Sequence, residues 1–65
     1  TFLQREHATV DTPYRAVRVN IGTWRGEKIT CAPEYEDCAA LASRHGIGTR
    51  AVYEAAQARA RLVDL

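Results

Sequence analysis

Pro33-Glu34-Tyr35-Glu36-Asp37-Cys38 decides how the rest of the chain is read. It has the pattern of the first turn and a half of a helix. Proline suits the first helical position, where no backbone N–H is needed. Glu34, Glu36 and Asp37 then lie beside the positive end of the helix dipole, which favours carboxylates. Three acids in four residues are more than a helix start needs, because one serine or threonine cap with one glutamate does as much. Two readings stand side by side. The plain one is a charged helix start with Tyr35 and Cys38 turned to the core. The other is that some of these carboxylates hold a metal ion or a nucleotide.

Outward from that stretch, the helix is expected to run to His45. Tyr35, Cys38, Leu41 and Ala42 form one buried stripe at 3,4 spacing. Arg44 and His45 sit where the dipole favours cations, and Gly46 is the expected left-handed stop. A second helix is expected from Thr49 to about Val63, burying Val52, Ala56, Ala60 and Val63 with Tyr53 on the flank. Arg50 and Glu54 are four apart and can pair.

Before the acidic stretch the period changes from 3,4 to 2. Residues 15–21 alternate strictly, with Val17, Val19 and Ile21 on one face and Ala16, Arg18 and Asn20 on the other. That is a strand with one dry and one wet face. Residues 5–11 alternate more weakly and suit an edge strand, joined to it by turn chemistry at Asp11-Thr12-Pro13-Tyr14. Residues 28–32 make a short third strand, with Ile29 and Cys31 inward and Lys28 and Thr30 outward. Gly22 to Glu27 is expected as a loop carrying the single tryptophan, Trp24. The fold class is therefore α+β: a three-stranded antiparallel meander followed by a helical hairpin packed on one face.

At 65 residues this is one small domain. Such a chain buries only about 60% of its unfolded surface, which makes a partner subunit or further chain plausible. It begins at a threonine with strand-like sequence almost at once, so residues 1–65 read as a fragment of a larger protein. The net charge of +1 argues against general attraction to nucleic acid or membrane. The first 32 residues carry five basic side chains against three acids, the last 33 four against five. Cys31 and Cys38 read as reduced thiols, and His7 and His45 lack metal-like spacing to them. No apolar run approaches the ~18 residues of a membrane span, and no signal pattern is visible, so a cytoplasmic location is expected.

One function class is suggested by geometry. Residues 40–53 have the look of a helix-turn-helix, with Ala42 before the turn glycine Gly46 and Val52 after it. The second helix would then present Thr49, Arg50, Glu54 and Gln57 to a groove. The acids on the first helix and the near-zero charge stand against it, so nucleic acid is not the expected partner.

A second class comes from resemblance. Thr12-Pro13-Tyr14, Val17-Arg18-Val19, Ala32-Pro33-Glu34-Tyr35-Glu36-Asp37-Cys38, then Leu41-Ala42, Gly46 and Val52-Tyr53-Glu54-Ala55-Ala56 closely resemble the carboxy-terminal end of the LarC family. These are nickel insertion proteins of nickel-pincer cofactor biosynthesis. The resemblance implies that the full-length protein is an enzyme of the lyase class. It puts nickel, its substrate, into pyridinium-3,5-bisthiocarboxylic acid mononucleotide, using CTP with a divalent metal (Mg or Mn). It implies that this chain is the nucleotide-binding and oligomerising segment, a homo-oligomer that works with the missing amino-terminal part. The fragment alone is not expected to carry out the reaction. Residue by residue, Glu34, Tyr35, Glu36 and Asp37 match the family's acidic motif and Arg18 its strand arginine. On the chemistry of a metal–phosphate group, Glu34 and Asp37 are then the metal-side candidates and Arg18 and Lys28 the nucleotide-binding ones; catalytic residues stay unassigned. Two positions depart from the family pattern. Arg15 stands where glycine is usual, and Asn20 where lysine is favoured on the same face as Arg18.

Overall fold

The computed structural model describes residues 4–63. Three strands, β1 (Gln4–Thr12), β2 (Arg15–Trp24) and β3 (Glu27–Pro33), form an antiparallel sheet in the order β1-β2-β3. Two helices follow, α1 (Tyr35–His45) and α2 (Thr49–Leu62), and pack on one face. The α+β meander-and-hairpin expectation is met.

The core is what the alternation and the 3,4 stripes predict. Val10, Val17, Val19 and Ile21 from the sheet meet Cys38, Leu41 and Ala42 of α1 and Val52, Ala56 and Ala60 of α2. The alanines of α2 keep the layers close, so the small chain buries a continuous apolar seam. Burial pushes the Cys38 thiol up from its ordinary range, and both cysteines are free.

The turns are built from the expected residues, with one change of anchor. Thr12 Oγ1, not Asp11, organises the first hairpin. It accepts the N–H groups of Tyr14 and Arg15 at 3.1 and 3.2 Å and donates to the Arg15 carbonyl at 2.6 Å. The turn closes with Arg15 at φ 134°, a region that favours glycine. At the end of α1, Gly46 is left-handed at φ 66°, and Ile47 N–H reaches back to the Ala42 carbonyl at 3.0 Å. That is a Schellman stop, and Ile47 packs against the core beside it. His45 Nε2 lies 3.0 Å from the Tyr14 carbonyl, and the two rings meet edge to face, which ties the first hairpin to the end of α1.

Three expectations are corrected. Trp24 ends β2 instead of standing in a loop. The actual turn is Arg25-Gly26, both at positive φ, the pattern of a tight two-residue hairpin, with Arg25 over the indole. Pro33 is the last residue of β3, paired with Val19, and not the first of the helix; Glu34 is the N-cap. Proline is tolerated there because β3 is an edge strand. Tyr35 is then the first helical residue, beyond the core, and is 67% exposed.

A fourth correction concerns β3. The β2–β3 register slips between Gly22 and Thr23: Gly22 pairs with Thr30, but Thr23 pairs with Lys28. Ile29 is the extra residue of a β-bulge, and it is 52% exposed. The bulge reverses the faces beyond it, so Lys28 points to the helix side, which the alternation alone gave to Ile29.

Candidate functional site

The acidic turn of α1 lies against the wet face of β2. β3 stops at Pro33, opposite Val19, so the edge of β2 next to Arg18 would be bare. The helix start takes its place. Glu34 N–H donates to the Arg18 carbonyl at 2.8 Å, and Arg18 N–H donates to Asp37 Oδ2 at 3.0 Å. Both backbone groups of Arg18 are thereby satisfied by the first turn of α1.

The side chains continue the join. Arg18 Nε donates to Asp37 Oδ2 at 2.9 Å, and its Nη2 to Asp37 Oδ1 at 2.7 Å. This two-point fork is the strong form of an arginine–carboxylate pair. The hydrogen bonds from Arg18 hold the Asp37 carboxyl down at about 2, below its ordinary 3.8. One residue pair further along, Asn20 Nδ2 donates to Glu34 Oε1 at 2.7 Å. Neither Glu34 nor Asp37 caps its own helix; Glu34, the N-cap residue, makes no side-chain cap bond. The surplus of acid at the helix mouth is thus used sideways, to fasten α1 to β2.

Arg18 and the two carboxylates, singled out from sequence, come together; Lys28 does not join them. The bulge turns it to the end of α2, where Nζ donates to the carbonyls of Ala60 and Arg61, each at 3.2 Å, and of Val63. Those are carbonyls at and just past the helix end, of which Ala60's also takes the Val63 N–H at 3.2 Å. The sequence signal for this was Gly22, since a glycine inside a strand often marks a bulge. Gln57, expected on a groove-facing side of α2, donates instead to the Cys31 carbonyl of β3 at 3.0 Å. Arg50 and Glu54 pair on the exposed side, as their spacing predicts.

The arrangement sets limits on its chemistry. As they stand, Glu34 and Asp37 do not offer a pair of free carboxylates: Asp37 spends both oxygens on Arg18 and Glu34 one on Asn20. Among the described residues, no group of three or more His, Cys, Asp and Glu side chains is placed to hold a metal ion. The Arg18 side chain is still 68% exposed, and its Nη1 edge makes no bond to the described residues. Beside it on the same face a shallow groove crosses the sheet, lined by Arg5 of β1, Asn20, Ile21 and Gly22 of β2, and Thr30 and Ala32 of β3. Asn20 Oδ1 is buried at its edge without a hydrogen-bond partner.

Comparison with known proteins decides what this frame belongs to. The model of the family "Nickel insertion protein" matches residues 1–53. The chain belongs to the nickel insertion protein family. Among relatives, the pyridinium-3,5-bisthiocarboxylic acid mononucleotide nickel insertion protein of Lactiplantibacillus plantarum is 45% identical over 56 residues, which is 86% of this chain and 13% of that protein. The protein of the same name from Desulfitobacterium hafniense is 34% identical over 61 residues, 94% of this chain and 15% of its own length. A solved structure of LarC2, the C-terminal domain of a cyclometallase involved in the synthesis of the NPN cofactor of lactate racemase, in its apo form, is 42% identical. It superposes with a TM-score of 0.78 over 92% of this chain and 41% of its own. The chain therefore spans about a seventh of these full-length relatives of the nickel insertion family and less than half of that solved domain. No described helix is long and apolar enough to cross a membrane.

Proposed function

We propose that this chain is the carboxy-terminal, nucleotide-handling segment of a nickel insertion protein acting in nickel-pincer cofactor synthesis. The whole protein would place nickel, as substrate, into pyridinium-3,5-bisthiocarboxylic acid mononucleotide at the expense of CTP. The observation that carries this reading is the family match over residues 1–53, taken with the likeness to LarC2 over nearly the whole chain. The segment would work in the cytoplasm, joined to the amino-terminal part of the protein and assembled as a homo-oligomer.

For the nucleotide, the supporting geometry is Arg18. Asp37 fixes one edge of the guanidinium and leaves the other to the solvent, oriented and charged. A fork held in that way suits a phosphate oxygen. The groove lined by Asn20, Gly22, Thr30 and Ala32 lies on the same face and would take the nucleoside. Glu34 and Asp37 as the place for the divalent ion of the triphosphate, and Lys28 as a second phosphate contact, belong to a rearranged state. Each of the three must first release the bonds it now makes.

A chimera tests the reading. The corresponding segment of the Lactiplantibacillus plantarum relative is replaced by residues 1–65 of this chain, and nickel insertion is assayed with CTP. Insertion above that of the truncated relative is expected. A chimera that folds, is recovered at normal yield and inserts no nickel would overturn it.

A further inference from the structure

Along the open face of β2 the positions run Arg18, Asn20 and then Gly22, which has no side chain, about 6.5 Å apart at each step. The pairing sets Arg5 of β1 and Thr30 of β3 on either side of Gly22, and Ala32 beside Asn20. The groove is therefore bare backbone at Gly22, walled by Arg5 and Thr30, with Asn20 between it and Arg18. Asn20 has its needs half met. Nδ2 donates to Glu34 Oε1 at 2.7 Å, while Oδ1 is buried without a hydrogen-bond partner. The protein's own atoms cover Oδ1, so neither water nor a further piece of chain reaches it there. A buried acceptor in that position is costly, and the cost goes if the amide turns into the groove and meets a donor.

We propose that Asn20 reads the ribose of the nucleotide: its amide turns from Glu34 into the groove, Oδ1 accepting from one sugar hydroxyl and Nδ2 donating to its neighbour. The phosphates then lie at Arg18 and the base over Gly22, between Arg5 and Thr30. The order of the three positions along β2 is the order of phosphate, sugar and base in a nucleotide, so one ligand laid along the strand meets all three. A carboxamide offers a donor on one atom and an acceptor on the other, which matches a pair of neighbouring hydroxyls. The lysine of the family pattern offers donors only, and an ammonium suits phosphate oxygens instead. The departure at Asn20 thus changes what this position recognises. The exchange costs the amide its bond to Glu34 and relieves the stranded Oδ1, so a hydroxyl pair has only one existing bond to replace. This contact rests on the reading of the open face as a nucleotide site, and deepens it.

Binding of CTP and of its dideoxy analogue, which lacks both sugar hydroxyls, tests it, each titrated with manganese into the wild type and into Asn20→Ala. The wild type should bind the dideoxy analogue about tenfold more weakly than CTP, because the amide then turns out to no partner. A folded Asn20→Ala should bind the two alike. Equal binding of both nucleotides by the wild type would overturn the ribose contact and leave the proposed function standing. A folded Asn20→Ala that keeps the preference would put the contact on another residue and overturn it as well. A wild type that binds neither nucleotide would remove the nucleotide role and this contact together.

Discussion

Arg18 and Asp37, nineteen positions apart, are joined at three points: Nε and the backbone N–H to Oδ2, and Nη2 to Oδ1, all between 2.7 and 3.0 Å. This contact fixes where α1 begins relative to β2. It also explains why the helix start is more acidic than its dipole requires.

The pair makes stability depend on acid. Asp37 titrates at about 2 in the fold against an ordinary 3.8, so the unfolded chain binds the proton more readily. Its contribution is complete above the unfolded value and is lost as pH falls from about 4 through about 2. Urea midpoints should fall over that window, and Asp37→Asn should flatten this part of the slope. At neutral pH, Asp37→Ala is expected to cost about 1–3 kcal/mol, since it strips a backbone N–H as well as a guanidinium. An unchanged acid slope in Asp37→Asn would show that the pair does not hold in solution.

Arg15 adopts φ 134°, where a side chain is strained by about 1–3 kcal/mol. Glycine relieves this but loosens the unfolded chain by about 0.4–1 kcal/mol. Arg15→Gly should therefore stabilise by about 1 kcal/mol, raising Tm by roughly 4–8 °C. A lower Tm would contradict the strained turn.

Lys28 should matter to α2 and not to strand pairing. Lys28→Met keeps the stem and removes the ammonium that holds the carbonyls of Ala60, Arg61 and Val63. A loss of about 1 kcal/mol is expected, with faster amide exchange confined to the last turn of α2. Faster exchange in β3 instead would show that the bulge, not the helix end, depends on this side chain.

Asn20 leaves Oδ1 buried without a partner while Nδ2 serves Glu34. Asn20→Lys would remove that orphan and bring a charge to Glu34. The substitution should keep or slightly raise stability, and it should tighten CTP binding by adding a cation next to Arg18. Weaker binding in a folded Asn20→Lys would argue that the nucleotide lies elsewhere.

The sequence carried the frame of this fold clearly where one period ran unbroken. Val17, Val19 and Ile21 announced a half-buried strand, and Val52, Ala56 and Ala60 a helix stripe, because a single face was selected for burial in each. What escaped was local breaks in period and contacts across long separations. Alternation within residues 28–32 gave Ile29 the inner face with Cys31, and one extra residue reversed it. Pro33 suits both a strand end and a helix start, and only the pairing with Val19 chooses between them. The acids of α1 were visible as a group, and the approach of Arg18 followed from the family pattern. That they would neutralise one another depended on where β3 stops.

The most direct measurement is calorimetric titration of CTP with manganese into the wild type and into Arg18→Ala. Expected is saturable heat for the wild type at millimolar nucleotide or below, weakened roughly tenfold or more by losing the guanidinium that a phosphate would meet. No heat from the wild type, or an Arg18→Ala chain that is folded and binds as tightly, would contradict the nucleotide role drawn here for the open face of β2.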